Sequence, residues 1–421
     1  MSYFAELARN WRPLLAATIG MGSGMSVVGV ITSTIVPTLV ADTGWSKADF
    51  AMIGSLALLM SFVFPFVGRL ADTIGVRKTA LIGQVTLPLI YLAYSMMGAD
   101  MWVYAVIFSL QSLLCVTTTS TVYTRAAVQN VVQARGLALA IVASGPALAG
   151  IVIGPVLNAF VEANGWRAAY QAVAVATAIA GLVTFLLLPP DRAKAGTATS
   201  TSRRTARQDY PVIFRTPAFW IMLLAMLLCN LPQTIILVQL KFLLLANGIT
   251  GEGAAVMLSA VSVGMLAGRF VTGVALDRFN VYLTSFVGLA LPCVGLFLLA
   301  SSFDTPAVIT LAVFCLGFAF GAEGDIIAYL VARHFGVEVY SSTLGLLTAA
   351  MSFSTAGGAV LLSYTLARTG GYELYLTIVG FAVLVGASSI LLLRRGHEPD
   401  AAARMIEEGI PVPGVVGTGQ A

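Results

Sequence analysis

Residues 68–78 read Gly68-Arg69-Leu70-Ala71-Asp72-Thr73-Ile74-Gly75-Val76-Arg77-Lys78, and 205 residues later the chain repeats the frame of that opening as Gly273-Val274-Ala275-Leu276-Asp277. Each copy closes a long apolar run, 48–67 in the first case and 253–276 in the second. Further pairs fall at the same spacing. Ser46 and Thr250 stand before the two runs, and Gly165-Trp166-Arg167 answers Gly371-Tyr372-Glu373, so every offset lies between 204 and 206 residues. A unit of the chain has been duplicated. Internal repeats of this kind mark secondary transporters, which place their substrate site at the repeat interface near the bilayer midplane.

Composition sets the solvent. Of the 421 residues, 58% are hydrophobic and 10% are charged, against about 25% charged in an ordinary soluble domain. So few charges cannot cover a water-exposed surface, whereas a bilayer needs no such cover. The 41 glycines fit the same reading, because small residues let membrane helices approach closely. Cys115, Cys229, Cys293 and Cys315 each lie inside an apolar run and read as small buried hydrophobes, while His334 and His397 fall at a helix end and in the tail. With no metal cluster, nucleophile triad or phosphate loop, the sequence predicts no enzyme, no catalytic residue, no cofactor, no metal and no nucleic-acid partner. Arg9 and Arg12 precede the first run, but that run reaches Val40, too long for a cleavable signal.

A span needs about 20 apolar residues. Twelve are predicted, numbered spans 1 to 12: 13–40, 48–67, 79–97, 102–124, 136–161, 167–188, 217–245, 253–276, 281–301, 306–332, 342–366 and 373–393. Segment 189–216 begins Pro189-Pro190, is rich in Thr, Ser and Arg, and divides six spans from six. The expected domains are an N-terminal bundle (1–188), a linker (189–216), a C-terminal bundle (217–395) and a flexible tail (396–421). With the N-terminus inside, the inner segments hold 18 of the 23 Lys plus Arg, the outer ends hold Lys47, Arg167, Lys241 and Arg368, and Arg269 falls inside a span. The positive-inside rule then puts both termini in the cytoplasm of a multi-pass protein of the cell (inner) membrane. A monomer in the lipid bilayer is expected.

The 68–78 stretch resembles the signature between helices 2 and 3 of the major facilitator superfamily, and the resemblance extends over nearly the whole chain. It implies an all-α integral membrane fold of twelve helices in two pseudo-symmetric six-helix bundles. The physics of the motif is readable. Gly68 and Gly273 allow close helix contact, Asp72 and Asp277 can accept from a neighbouring helix N-terminus, and Gly75, Arg77 and Lys78 form a loop held at the anionic inner leaflet. These seven are the expected gating residues. Gly150 and Gly154-Pro155 in span 5 are similar to the family's antiporter motif, whose usual glycine pair is replaced by Asn158 and Ala159.

Several segments resemble the branch holding monocarboxylate and oxalate–formate carriers: Gly44-Trp45-Ser46, Arg135-Gly136-Leu137-Ala138-Leu139-Ala140 with Ser144-Gly145, and Gly268-Arg269. That branch implies a small organic anion moved with a proton or by exchange, and an arginine at this place in span 8 that binds the substrate carboxylate. The chain departs from it in two ways. The monocarboxylate branch has an aspartate one turn before the arginine, where Met265 stands here. The oxalate type has a lysine in span 11, which here holds no Lys or Arg before Arg368.

Three charges lie deep inside spans: Arg269, Glu323 and Asp325. Such a charge costs roughly 2.5–3.5 kcal/mol on insertion scales, so each is a functional candidate. Counting from Asp277 and Arg333 puts Arg269 and Asp325 roughly 12 Å deep and Glu323 roughly 15 Å. Either acid can serve in proton coupling, or the charges form a permanent pair locking spans 8 and 10. Two residues apart on a helix, the acids point to nearly opposite sides, and Asp325 matches the depth of Arg269 better. In span 7, Asn230, Gln233, Thr234, Leu237 and Lys241 share a face, and Pro232 leaves the Leu228 carbonyl unbonded. In span 4, Gln111 and Thr118 share a face with Tyr123 below them. Gln111, Thr118, Tyr123, Asn230 and Gln233 are read with Arg269 as substrate-binding, polar helix–helix contact being the other reading. The sequence thus predicts a proton-coupled carrier of a small organic carboxylate working by alternating access. The alternatives are an efflux carrier for hydrophobic compounds and, in a different class, a membrane ligand sensor.

Overall fold

The computed structural model describes residues 3–45, 53, 55–190, 206–240, 243–244, 249, 251–301 and 305–394. Ser46, Lys47, Lys241, Thr250 and His397, most of the linker and the tail lie outside the described residues. Among those described, the chain is helical nearly throughout and holds no strand. Among the described residues, nine helices are long and apolar enough to cross a membrane, or ten with a bent pair at 209–229. One of the nine, 135–187, holds two spans, because the chain turns at Gly165 (φ 79°) without leaving helical geometry on either side. Span 2 is described from Ser55 to Ile74 and completes the twelve.

Several spans are not continuous. Span 1 runs Trp11–Gly22, breaks, makes a 3₁₀ turn at Met25–Val27 and continues as Val28–Thr43. Span 4 runs Met101–Leu114, tightens to 3₁₀ at Cys115–Thr118 and resumes as Ser120–Asn130. Span 7 runs Pro217–Cys229, turns around Pro232 and resumes with a π segment at Ile235–Gln239. A missing N–H at Pro232 explains the last of these. Spans 8 to 11 are single helices: Gly251–Arg278, Val281–Ala300, Pro306–Phe335 and Tyr340–Thr369. Span 12 is Glu373–Ser389, closed by a 3₁₀ turn to Arg394. Two short helices fall outside the spans: Tyr3–Arg9 at the start, and Ala206–Arg215, which gives the end of the linker a helical form that its composition did not suggest.

Spans 8 and 10 pack backbone to backbone. A Cβ on Gly264 would meet the Phe314 carbonyl at 2.5 Å, and Cβ atoms on Gly268, Gly317 and Gly321 would run into the carbonyls of Phe318, Val261 and Met265. Two Gly-x-x-x-Gly stripes, 264/268 and 317/321, thus face each other, the arrangement that lets membrane helices touch without a side-chain layer between them. Gly268→Val is expected to force the pair apart and lower stability by at least about 1–3 kcal/mol. Thermal unfolding of the purified variant checks this, and a wild-type melting temperature would refute it.

Candidate functional site

The Gly268 contact fixes where the next residue goes. Arg269 reaches toward span 10, and its Nη1 lies 3.6 Å from Asp325 Oδ1. The Asp325 side chain is 2% exposed and that of Arg269 17%. Asp325 Oδ2 has no hydrogen-bond partner, so the carboxylate is held from one side. The hydroxyl of Tyr340, the first residue of span 11, donates to Thr124 Oγ1 across the seam between the halves at 2.9 Å.

Glu323 points elsewhere. Asn230 Nδ2 and Gln233 Nε2 both donate to its carboxylate, the latter at 2.8 Å. The two acids of span 10 face different neighbours, as their spacing requires: Asp325 meets span 8 and Glu323 meets span 7. Asn230 and Gln233 are thereby committed to Glu323 rather than gathered around Arg269. A small cavity lies beside Glu323, lined also by Cys229, Pro232, Ile236 and Phe320, with room for water.

The span 4 candidates find partners inside the N-terminal half. Thr118 Oγ1 accepts from the Met25 N–H at 2.9 Å and donates to the Cys115 carbonyl at 2.7 Å. Tyr123 is fully buried against Gly20 and accepts from Gln84 Nε2 at 2.6 Å. Gln111 accepts from the Tyr94 hydroxyl at 3.1 Å, while its Nε2 has no partner. These bonds hold the three within their own half rather than at Arg269, whose partner is Asp325. Among the described residues, no three His, Cys, Asp or Glu side chains converge to hold a metal. The four cysteines are buried free thiols.

The motif residues form two locks at one end of the bundle, which carries Arg69, Arg77, Arg125, Arg135 and Arg278 and is termed the basic end below. Asp72 ends span 2 and accepts from the Ser341 and Ser342 N–H groups, the latter at 2.6 Å, at the N-terminus of span 11. Arg125 of span 4 also pairs with Asp72. Gly68, one turn earlier, lies against the Ser341 carbonyl with no room for a Cβ. The second lock mirrors the first. Asp277 ends span 8 and accepts from Gly136 N at 2.7 Å and Leu137 N at 3.0 Å, at the N-terminus of span 5, while Gly273 and Gly136 pack on each other's carbonyls. A carboxylate at a helix N-terminus meets both unsatisfied N–H groups and the positive end of the dipole. Gly75 joins spans 2 and 3 at φ 93°, ψ 167°, a region open to glycine alone. Arg77 then lies over the Phe185 ring, 4.1 Å from its centroid, with Lys78 beside it in the first turn of span 3.

The second lock has a further member that the sequence did not suggest. Tyr3, in the first short helix, donates its hydroxyl to Asp277 Oδ2 at 2.8 Å. Burial and the neighbouring carboxylate hold that phenol well above its ordinary pKa. The same helix is tied to the other half by Glu6, whose carboxylate accepts from the N–H groups of Val132, Gln133 and Ala134 at 2.9–3.0 Å. Arg69 of the motif pairs with Asp209 of the linker helix. Arg125 was readable only as a basic loop residue, because its partner lies 53 positions away. The paired glycine stripes were in plain view and would have placed Arg269 against span 10.

The fold has clear counterparts among solved structures. The fucose:proton symporter of E. coli superposes with a TM-score of 0.67 at 12% identity, over 93% of this chain and 99% of that one. A transporter of the same superfamily, FucP, in the outward conformation gives 0.67 at 12% identity, over 90% of this chain and 98% of that one. The proton:xylose symporter XylE gives 0.69 at 15% identity, over 96% of each. Among curated proteins none matches. The profile of the Major Facilitator Superfamily matches residues 14–359, and with twelve spans, a duplicated motif and two carboxylate locks at equivalent helix ends, the chain belongs to that superfamily of membrane transporters.

Proposed function

We propose that this transporter carries a small organic carboxylate, that Arg269 is the group that binds it, and that Asp325 takes up the coupled proton. The observation behind the reading is the largely buried Arg269–Asp325 ion pair between spans 8 and 10, with a carboxylate bonded on one side only. A guanidinium stays charged at any working pH and offers a planar fork that fits a carboxylate. An arriving anion competes with Asp325 for that fork. Asp325, released from its cation in a dry interior, then favours its neutral form and draws a proton, because burial penalises the charged state. Exchange of partners couples proton to cargo without a histidine.

In this reading the basic end faces the cytoplasm, following the positive-inside rule, and the conformation with both locks closed is open to the opposite side. The protein works as a monomer between its N-terminal (1–188) and C-terminal (217–395) bundles, the linker joining them. The test is uptake of a panel of carboxylates into proteoliposomes under an imposed pH gradient. Arg269→Lys is expected to insert normally but to weaken binding about 10- to 100-fold, the loss of a charge-assisted pair of hydrogen bonds. Wild-type affinity in that variant would remove the bidentate contact, and uptake of neutral solutes in preference to carboxylates would remove the cargo class.

A further inference from the structure

The two faces of the first short helix carry different chemistry. Tyr3 and Leu7 pack on the bundle, and Glu6 bonds to it. At one end of the helix Tyr3 reaches Asp277, in the last turn of span 8. At the other end Asn10 Nδ2 donates at 3.0 Å to the carbonyl of Asn130, the last residue of the span 4 helix. Both contacts are with helix ends at the basic end. Residues 3–9 therefore lie across that end rather than along the bundle axis, and the chain enters span 1 directly afterwards, at Trp11.

The opposite face is exposed and mixes aromatic rings with cations. Phe4 is 67% exposed and Trp11 50%. Arg9 and Arg12 are exposed beside them, the Arg12 guanidinium lying 5.6 Å from the centre of the Trp11 ring. The C-terminal half adds Arg278, exposed and 5.7 Å from the centre of the Tyr3 ring, and Phe279, 71% exposed. Among the described residues, no carboxylate forms an ion pair with these three arginines. Three rings and three unneutralised cations thus share one surface at the level where the spans end. Side chains of that mixture suit the headgroup layer, where apolar bodies enter the acyl boundary and guanidinium groups meet phosphates.

We infer that this surface binds anionic phospholipid in the leaflet at the basic end, and that the bound lipid favours the conformation in which that end is closed. A soluble partner fits less well, because the surface runs into the first turn of a membrane span. The link to the gate comes from where the cations belong. Arg9 and Arg12 precede or open span 1, Arg278 ends span 8, and Tyr3 gathers them by seating its hydroxyl on Asp277. Like charges brought together without a counter-charge repel and oppose that seat, and an anionic surface reverses the sign. The lipid therefore has higher affinity for the seated, closed conformation, which is the condition for shifting a population.

The test needs no cargo, so its outcome is independent of the role given to Arg269. The four native cysteines are replaced by alanine, and spin labels are attached through Val132→Cys, in the loop before span 5, and Leu283→Cys, in the first turn of span 9, both exposed at the basic end. The protein is placed in nanodiscs of phosphatidylcholine alone or of phosphatidylcholine mixed with phosphatidylglycerol, and the distance between labels is read. The ratio of the short, closed population to the long, open one is expected to rise about 5-fold in the anionic discs, the effect of one arginine brought to an anionic surface. The double variant Arg9→Gln, Arg12→Gln changes only exposed side chains and is expected to lose most of that rise. Inorganic phosphate added to the neutral discs is expected to leave the ratio unchanged. Equal ratios in the two lipids, or a full rise in the double variant, overturn the site. A rise produced by phosphate alone overturns lipid as its ligand.

Discussion

Asp325→Asn is expected to abolish accumulation of cargo against its gradient while exchange of cargo across the membrane persists. Asparagine keeps the shape of the side chain and can accept from Arg269, but it takes up no proton. Net transport then loses its driving ion, and one-for-one exchange does not need it. The same substitution leaves a largely buried guanidinium without its counter-charge, since the Arg269 side chain is 17% exposed. Removing one partner of a buried pair costs about 3–5 kcal/mol, whereas removing both is often close to neutral. The double variant Arg269→Gln, Asp325→Asn should therefore recover most of the lost stability and none of the transport. Uptake under a pH gradient, counterflow and thermal unfolding on the three proteins separate these effects. Gradient-driven accumulation by Asp325→Asn would end the coupling scheme.

Asp72→Asn is expected to slow turnover strongly and Asp277→Asn less so, with binding changed little in either. Both side chains lie at the basic end, away from Arg269, and each meets two N–H groups on the opposite half. The difference lies in what else each carries. Asp72 also pairs with Arg125, whose side chain is only 8% exposed, so its neutralisation takes the counter-charge from a buried ion pair. Asp277 instead accepts from the neutral phenol of Tyr3. Breaking a buried ion pair is the costlier defect. Binding in detergent set beside transport in liposomes decides the matter. Lost binding with unaffected turnover would move the motif from gate to site.

What could be read in the sequence divides by the range of the interaction. Span positions follow from local hydropathy, and the helix ends at Asp72, Gly75 and Asp277 from a motif with a local mechanism. The depths of Arg269 and Asp325 follow from helix rise, and their facing each other follows from two glycine stripes. The broken spans were harder. Pro232 announced the bend in span 7, but the 3₁₀ turns at Met25–Val27 and Cys115–Thr118 contain no proline and depend on each other: Thr118 satisfies the backbone that span 1 exposes at its break. Asn230 and Gln233 read equally as lining for a cargo or as helix glue, and only the position of Glu323 decides which they do in this conformation. The linker helix was hidden by composition, because Arg207, Asp209 and Arg215 make it polar.

The first short helix bears on how the protein is handled. Tyr3 touches the C-terminal half through Asp277, and Glu6 holds the loop at 132–134 of the N-terminal half, so seven residues bridge a joint that opens in the proposed cycle. A fusion partner or affinity tag attached just ahead of Tyr3 would pull on that bridge. Its effect would register as altered turnover in protein that is otherwise well folded and well expressed, and kinetic constants from such a preparation would describe the tag as well as the transporter.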